Sequence, residues 1–396
     1  MKRVTRWTVV LIGAIVLLGI AIQGVAADKV RGVTDTEILI GQWGPQTGPA
    51  ALWGAVGRAT GVYFKMINEQ GGIHGRKIKY FLRDDSYQPA KTKAIGKEFV
   101  EEIGVFAVVG GVGTSTGMAV RDYLTLENHI PWVSPATGSS HWTKPFNKYI
   151  FSTFPQYFQE AYVQTQYAVE KLGKKKVAFF YQNDDYGKEG LDGAKKYMSD
   201  AGMKLVAEVP VEVTDTDLKS HAVKLKESGA EVVILWVLPK HAAIILGVSK
   251  AIGFSPQFMA ASTLSDPDLM FKVTKGLWKG VIYGNFLNMQ SPLVKKYLAA
   301  QKKYAPNERY TGLFYLAGFY FAEPLVKGLQ LAGRDLTPET FVKAMEKIKH
   351  WNDWLGYDCT FTATDHQGVK SVYLEKCGDK GKRIKVTDWL VYKPKK

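Results

Sequence analysis

The chain has 396 residues, of which 46% are hydrophobic and 22% charged, and its formal net charge is +15. This composition is globular and excludes a disordered or low-complexity chain, while the length suffices for two domains of ordinary size. The lysines are scattered over predicted helix faces, so we interpret the positive charge as solvated surface and expect no nucleic-acid partner.

The first 27 residues have the order of a secretory signal peptide. Lys2, Arg3 and Arg6 precede an apolar run from residue 7 to 22, and small residues up to Ala27 follow. A single membrane anchor is the alternative, because about 20 apolar residues can span a bilayer. The small residues at the exit favour cleavage after Ala27, so we expect a periplasmic protein whose mature chain carries a net charge of +12.

From residue 37 onward, short apolar strands alternate with amphipathic helices in two series that are separated near residues 147–155. Strands are predicted at 38–40, 78–82, 105–109, 130–133, 177–181, 205–209, 232–237 and 258–259. Helices are predicted at 52–68, 90–102, 116–127, 160–172, 187–201, 218–228, 242–252, 292–304, 312–331 and 338–348. A β-rich tail over residues 359–392 supplies further strands. This alternation predicts an α/β protein with two parallel sheets, each covered by helices.

Ligands of open α/β sheets bind beyond the carboxyl ends of the strands. That rule selects six loops: 43–53, 110–116, 134–140, 182–186, 236–240 and 260–266. Glycine and small hydroxyl residues occur in several of them, and two carry tryptophan.

The only two cysteines are Cys359 and Cys377. In an exported protein, one pair at this spacing predicts a structural disulfide. Two thiols without a histidine pair at ligand spacing do not predict a zinc site, and we expect neither a metal nor a cofactor.

Several segments, in this order, resemble the leucine/isoleucine/valine-binding branch of the type I periplasmic binding proteins. They are Gly44-Pro45-Gln46-Thr47-Gly48-Pro49, Asn68-Glu69-Gln70-Gly71-Gly72-Ile73-His74-Gly75, Arg83-Asp84-Asp85, Val109-Gly110-Gly111, Pro131-Trp132-Val133-Ser134-Pro135-Ala136-Thr137 and Asp185-Tyr186-Gly187. The resemblance covers essentially the whole mature chain. It implies two Rossmann-like lobes joined by three crossovers, with lobe 1 over residues 28–150 and 286–355 and lobe 2 over residues 151–285 and 356–396.

The resemblance also implies a ligand-binding site between the lobes. An aromatic residue of the family's site falls on Trp53, the hydroxyl loop that holds a ligand carboxylate falls on Thr114 and Ser115, and the closing tyrosine falls on Tyr186. The remaining expected site residues are Ala136, Thr137, Gly138, Trp236 and Ser262. The implied partners are a small-molecule ligand and the permease subunits of an ABC importer, with the protein acting as a monomer.

Two departures from the family pattern concern the ligand's ammonium group. Amino-acid binders place an acid near Ser262, and the family often has a second acid where this chain has Tyr157. Burying an ammonium without a carboxylate costs several kcal/mol. We therefore expect a carboxylate ligand without an α-ammonium, either aromatic or aliphatic. Asp184, Asp185 or Asp266 supplying an acid from a shifted position is the alternative, and the protein is then a conventional hydrophobic amino-acid binder.

An enzyme is not expected, since the second series of loops has no G-x-S-x-G elbow, no H-E-x-x-H and no P-loop. The paired acids Asp84-Asp85 and Asp184-Asp185 are typical of capping residues at strand ends. A stand-alone ligand sensor with the same two lobes stays open as an alternative function.

Overall fold

The computed structural model describes residues 30–394. The predicted signal peptide at residues 1–27 therefore lies outside the described residues. Among the helices of residues 30–394, none combines the length and the apolar character that crossing a membrane requires.

The first sheet is entirely parallel and has the strand order β2-β1-β3-β4-β5. Its strands are β1 Glu37–Gly44, β2 Lys77–Asp84, β3 Ala107–Val109, β4 Trp132–Val133 and β5 Ile150–Phe151. Its connecting helices are α1 Ala55–Glu69, α2 Pro89–Lys97 and α3 Thr114–Met118, with shorter helical turns at Ala51–Gly54, Glu98–Ile103, Tyr123–Glu127 and Ser140–Trp142. The central strands β3 and β4 are fully buried, as their continuous apolar runs predict. The helix predicted at 116–127 is divided into two shorter pieces.

The second sheet has the strand order β12-β11-β10-β9-β8-β6-β7, and β13 pairs with β11. Its strands are β6 Val177–Gln182, β7 Ala207–Val211, β8 Val232–Trp236, β9 Gln257–Ala260, β10 Ile282–Asn285, β11 Ser371–Cys377, β12 Arg383–Lys385 and β13 Leu390–Val391. Its helices are α4 Tyr157–Glu170, α5 Asp185–Asp200, α6 Lys219–Glu227, α7 Pro239–Ala251 and α8 Pro267–Val273, with turns at Ser262–Leu264 and Asp379–Gly381. Strands β6 to β10 are parallel, whereas β11 to β13 pair antiparallel.

Three late helices return to the first sheet. They are α9 Leu293–Tyr304, α10 Leu313–Ala332 and α11 Pro338–Met345, and α10 packs on α1 and on β4. The chain therefore passes three times between the sheets. We call the first sheet with α1–α3 and α9–α11 lobe 1, and the second sheet with α4–α8 lobe 2. All three tail strands join the second sheet, so the tail does not extend the first.

The predicted disulfide is wrong, because Cys359 and Cys377 are both free, buried thiols. Cys359 lies beside Gly368, where an added Cβ would be 2.8 Å from its sulfur. Cys377 lies at the far end of β11, which starts three residues after Gly368 and is seven residues long. A strand of that length spans about 20 Å, whereas a disulfide requires Cα atoms about 6 Å apart. The intervening strand separates the two thiols.

Gly318 permits the close crossing of α10 over α1. A Cβ at this position would lie 2.2 Å from the carbonyl oxygen of Val56 and 2.6 Å from Cβ of Ala59. We expect Gly318→Ala to lower the free energy of unfolding by about 1–3 kcal/mol, because the helices must separate; urea unfolding measures it. Gly247→Ala in α7 is the matched control, since nothing lies within 4 Å of its added Cβ. The free energy of unfolding of the control is expected to rise by about 0.5–1 kcal/mol. An equal loss of stability in both variants would contradict the packing argument.

Candidate functional site

A cleft lies where the carboxyl ends of strands from both sheets meet. It encloses about 410 Å³, part of it open to solvent. Its lining residues are Ala50, Trp53, Tyr87, Val112, Gly113, Thr114, Ala136, Tyr157, Tyr186, Val237, Leu238, Pro239 and Thr263. All six loops selected from the sequence contribute at least one of them. Tyr87 and Tyr157 are the lining residues that lie outside those loops.

Aromatic rings form much of the wall. Tyr157 and Tyr186 of lobe 2 pack edge to face with ring centroids 5.0 Å apart. Trp53 of lobe 1 packs on Phe314 at 4.6 Å and is 4% exposed. Such rings offer apolar surface together with a polar edge, and ring pairs contribute about 0.5–1.5 kcal/mol beyond burial. The wall therefore suits a flat or elongated apolar body.

Hydroxyl groups supply the polar part of the cleft. The hydroxyls of Thr114 and Thr137 are 2.7 Å apart, and those of Tyr186 and Thr263 are 2.6 Å apart. Gly113 precedes Thr114 with φ +108°, and an added Cβ would lie 2.6 Å from the ring of Tyr87. The glycine thus allows the tyrosine ring to approach the hydroxyl loop closely.

Four of the predicted site residues line the cleft, and five lie directly behind it. The lining ones are Trp53, Thr114, Ala136 and Tyr186. Of the others, Thr137 contacts Thr114 as described, and Trp236 is fully buried with its ring 5.9 Å from Tyr157 and 6.3 Å from Tyr186.

The remaining three bond to residues that line the cleft or lie behind its wall. Ser115 donates to Asp184, and Ser262 binds a buried glutamate that is described below. The carbonyl of Gly138 accepts a hydrogen bond from the amide of Tyr157. A Cβ at Gly138 would be 2.1 Å from the carbonyl oxygen of Pro155, so a side chain does not fit here.

Direct hydrogen bonds join the two lobes across the cleft. Trp53 Nε1 donates to the carbonyl oxygen of Thr263 at 3.2 Å, and Ser115 Oγ donates to Asp184 Oδ2 at 3.1 Å. The backbone amide of Ser140 donates to Glu189 Oε1 at 2.9 Å. The structure is therefore a closed arrangement of the lobes.

Residues 37–382 match the profile of a family described as periplasmic binding protein. The chain belongs to the periplasmic binding protein family. This confirms the resemblance inferred from the motifs and the expectation of a binding protein rather than an enzyme.

Named relatives and solved structures agree with the family. A leucine-, isoleucine-, valine-, threonine-, and alanine-binding protein from Pseudomonas aeruginosa is 25% identical over 347 residues, which are 87% of this chain and 89% of that protein. A branched chain amino acid ABC transporter from Thermus thermophilus with bound valine has a TM-score of 0.82 at 20% identity, covering 91% of this chain and 97% of the other. A fatty acid ABC transporter substrate-binding protein from Thermomonospora curvata has a TM-score of 0.81 at 24% identity, covering 91% and 94%. These likenesses confirm the predicted two-lobe fold.

Acidic side chains near the cleft of this periplasmic binding protein are engaged by protein groups. Asp184 accepts from Ser115 and Gln182, and Glu189 accepts from Ser140. Asp266 caps the start of α8 and also accepts from the amide of Phe314 in α10 at 3.3 Å.

Glu160 was not predicted as a site residue. It lies in the first turn of α4, where an acid is typical of helix starts, so the sequence carried no other signal. In the fold it is 1% exposed and accepts hydrogen bonds from Ser262. Burial raises the pKa of Glu160 to about 7, and the hydrogen bonds from Ser262 and Gln164 lower it in part.

Proposed function

We propose that this protein is the solute-binding component of an ABC importer, acts as a monomer in the periplasm, and captures a small organic monocarboxylate between its lobes. The family supports the periplasmic binding role, and two structural neighbours are named as ABC transporter proteins. Delivery to permease subunits is the corresponding partner interaction.

The ligand class rests on one observation. Of the described residues that line the cleft, none is an aspartate, glutamate, lysine, arginine or histidine. An ammonium group desolvated there has no carboxylate to pair with, which costs several kcal/mol. A carboxylate, in contrast, is well served by hydroxyl donors, because charge-assisted hydrogen bonds are roughly twice as strong as neutral ones. Thr114, whose hydroxyl contacts that of Thr137, and the tyrosine hydroxyls are such donors.

The rest of the ligand is an apolar body, either an aromatic ring or an aliphatic chain. Trp53, Tyr157 and Tyr186 offer ring faces and edges, while Val237, Leu238 and Pro239 offer aliphatic surface. The positive net charge of the protein adds a long-range attraction for anions.

A conventional hydrophobic amino-acid binder is the second candidate. It is favoured by the name of the Pseudomonas aeruginosa relative, which aligns over 87% of this chain. In that case an acid behind the lining, such as Glu160 or Asp184, has to turn toward the cleft to meet the ammonium.

A thermal-shift screen followed by titration calorimetry separates the two candidates. Refolded, ligand-free protein is compared with leucine, valine and phenylalanine on one side, and with benzoate, a hydroxycinnamate and octanoate on the other. We expect stabilisation by the carboxylates that lack an ammonium. Stabilisation by leucine or valine alone would overturn the proposed ligand class.

A hydroxyl variant tests whether the carboxylate lies at the threonine pair. Thr114→Val keeps the shape of the side chain and removes its hydroxyl, so we expect the affinity for the best monocarboxylate to fall about tenfold. Thr165→Val is the matched control, since that buried hydroxyl donates to the carbonyl of Ala161 within α4. An unchanged affinity in Thr114→Val would place the carboxylate elsewhere.

A further inference from the structure

The carboxylate of Glu160 is held on three sides by lobe 2. The amide of Ser262 donates to Oε1 at 2.6 Å and its hydroxyl donates to Oε2 at 2.7 Å. Gln164 Nε2 donates to Oε1 at 2.8 Å. A Cβ added to Gly284 of β10 would lie 2.3 Å from Oε1, so the sheet closes the remaining side.

No positive charge of the described residues accompanies this carboxylate. Its own helix α4 presents Tyr157 and Gln164, α5 presents Tyr186, the 262–264 turn presents Ser262, and β10 presents a glycine. The two tyrosines are the titratable groups that face it, and burial raises the pKa of both, so they are neutral at physiological pH. Glu160 therefore carries an uncompensated charge whenever it is ionised.

One layer of side chains separates Glu160 from the cleft. Ser262, which it binds, precedes Thr263, and Thr263 lines the cleft and contacts both Tyr186 and Trp53. Tyr157, one helical turn before Glu160, lines the cleft as well. Ser262, Tyr157 and Tyr186 are buried, so a charge in the cleft acts on the carboxylate through a poorly screening medium.

We propose that Glu160 determines specificity for the charge of the solute, because an anionic solute binds together with a proton that Glu160 takes up. The proton comes from solvent and adds to Oε2, which then donates to the hydroxyl of Ser262, while the Ser262 amide still donates to Oε1. An ammonium-bearing solute has the opposite preference and favours the ionised carboxylate. The inference rests on the proposed function, since it takes the solute of this cleft to be a carboxylate.

The pH dependence of binding follows from this linkage. An anion loses affinity as the pH rises and Glu160 ionises, and the burial that brings its pKa to about 7 places the change near neutral pH. Two like charges within about 10 Å, at an effective dielectric constant near 20, repel enough to change affinity about tenfold.

Calorimetry with benzoate and with octanoate, between pH 5.5 and 8.5, tests the proposal. In wild-type protein we expect the Kd to rise about tenfold over this range. Titrations at pH 7.5 in two buffers of different ionisation enthalpy should show uptake of a fraction of a proton per solute. Glu160→Gln, which keeps hydrogen-bonding atoms at both positions, should bind with a Kd that is independent of pH. Glu323→Gln is the matched control, because Glu323 is another buried acid with a raised pKa whose partners Tyr297 and Leu355 do not line the cleft. It should retain the wild-type slope.

The outcomes separate the inference from the proposed function. Binding of either carboxylate without proton uptake, or an unchanged slope in Glu160→Gln, overturns the role of Glu160 and leaves the function intact. Absence of binding by both carboxylates at every pH overturns the function and the inference together. The proton count on wild-type protein decides the matter even when the glutamine variant does not fold.

Discussion

Trp53→Ala is expected to weaken solute binding about a hundredfold. The indole lines the cleft, packs on Phe314 and donates across the cleft to Thr263. Its truncation removes the apolar surface that contacts the solute and a hydrogen bond that holds the lobes together. Truncation of a buried tryptophan typically costs about 3–5 kcal/mol. Calorimetry with the best carboxylate measures the affinity, and thermal unfolding without solute measures the part of the cost that falls on stability.

Trp53→Phe is the control for the two parts of this effect. It keeps a ring against Phe314 and removes the Nε1 donor, so its affinity should lie between those of wild type and Trp53→Ala. A Kd of Trp53→Ala within about threefold of wild type would exclude Trp53 from the solute site, since a buried ring contact is worth more than that.

Glu323→Leu is expected to lower the free energy of unfolding by about 3 kcal/mol. Glu323 of α10 is fully buried, accepts a hydrogen bond from the hydroxyl of Tyr297 and accepts another from the amide of Leu355 at 2.9 Å. Leucine fills the space but leaves both donors without an acceptor, and each such buried group costs about 1–3 kcal/mol. Leu355 belongs to the third passage between the lobes, so the loss also loosens that connection.

The same carboxyl group predicts a pH dependence of stability. Burial raises the pKa of Glu323 from 4.5 to about 8, so the folded protein binds a proton that the unfolded chain has released. The contribution of this group to the free energy of unfolding is then greatest below pH 4.5. It falls as the pH rises to about 8. Glu160 adds a similar fall, which continues through pH 7 because its pKa is about 7.

Glu323→Gln mimics the protonated carboxyl, because its amide donates to Tyr297 and its oxygen accepts from Leu355. Urea unfolding of this variant should therefore show a smaller fall in stability between pH 5 and 8 than wild type, because only the contribution of Glu160 remains. A fall equal to that of wild type would show that another group is responsible.

The position of the site could be predicted from the sequence because strand ends locate it. Apolar runs such as 105–109 and 232–237 identify parallel strands, and in a parallel sheet the loops after them converge at one edge. Trp53 and Tyr186, which lie in two of these loops, line the cleft. Trp236, at the end of such a run, was expected as a ligand-contacting residue, but Gly190 of α5 admits its ring beneath the wall, where an added Cβ would be 2.6 Å from the indole.

Other parts depend on tertiary contacts that leave no local pattern. Tyr87 reaches the cleft from the end of β2 because its backbone has φ +60° and Gly113 makes room for its ring. The burial of Glu160 depends on a serine that is about a hundred positions away. The separation of Cys359 and Cys377 depends on the extended strand β11 between them, which the spacing of two cysteines in the sequence does not reveal.

The bonds that join the lobes directly have a kinetic consequence. Trp53 with Thr263, Ser115 with Asp184, and Ser140 with Glu189 must all separate before an enclosed molecule can escape. Solutes that differ in affinity should then share a similar dissociation rate, because the breaking of these three hydrogen bonds between the lobes sets that rate. Their differences in affinity should appear in the association rate, that is, in the fraction of encounters that lead to binding.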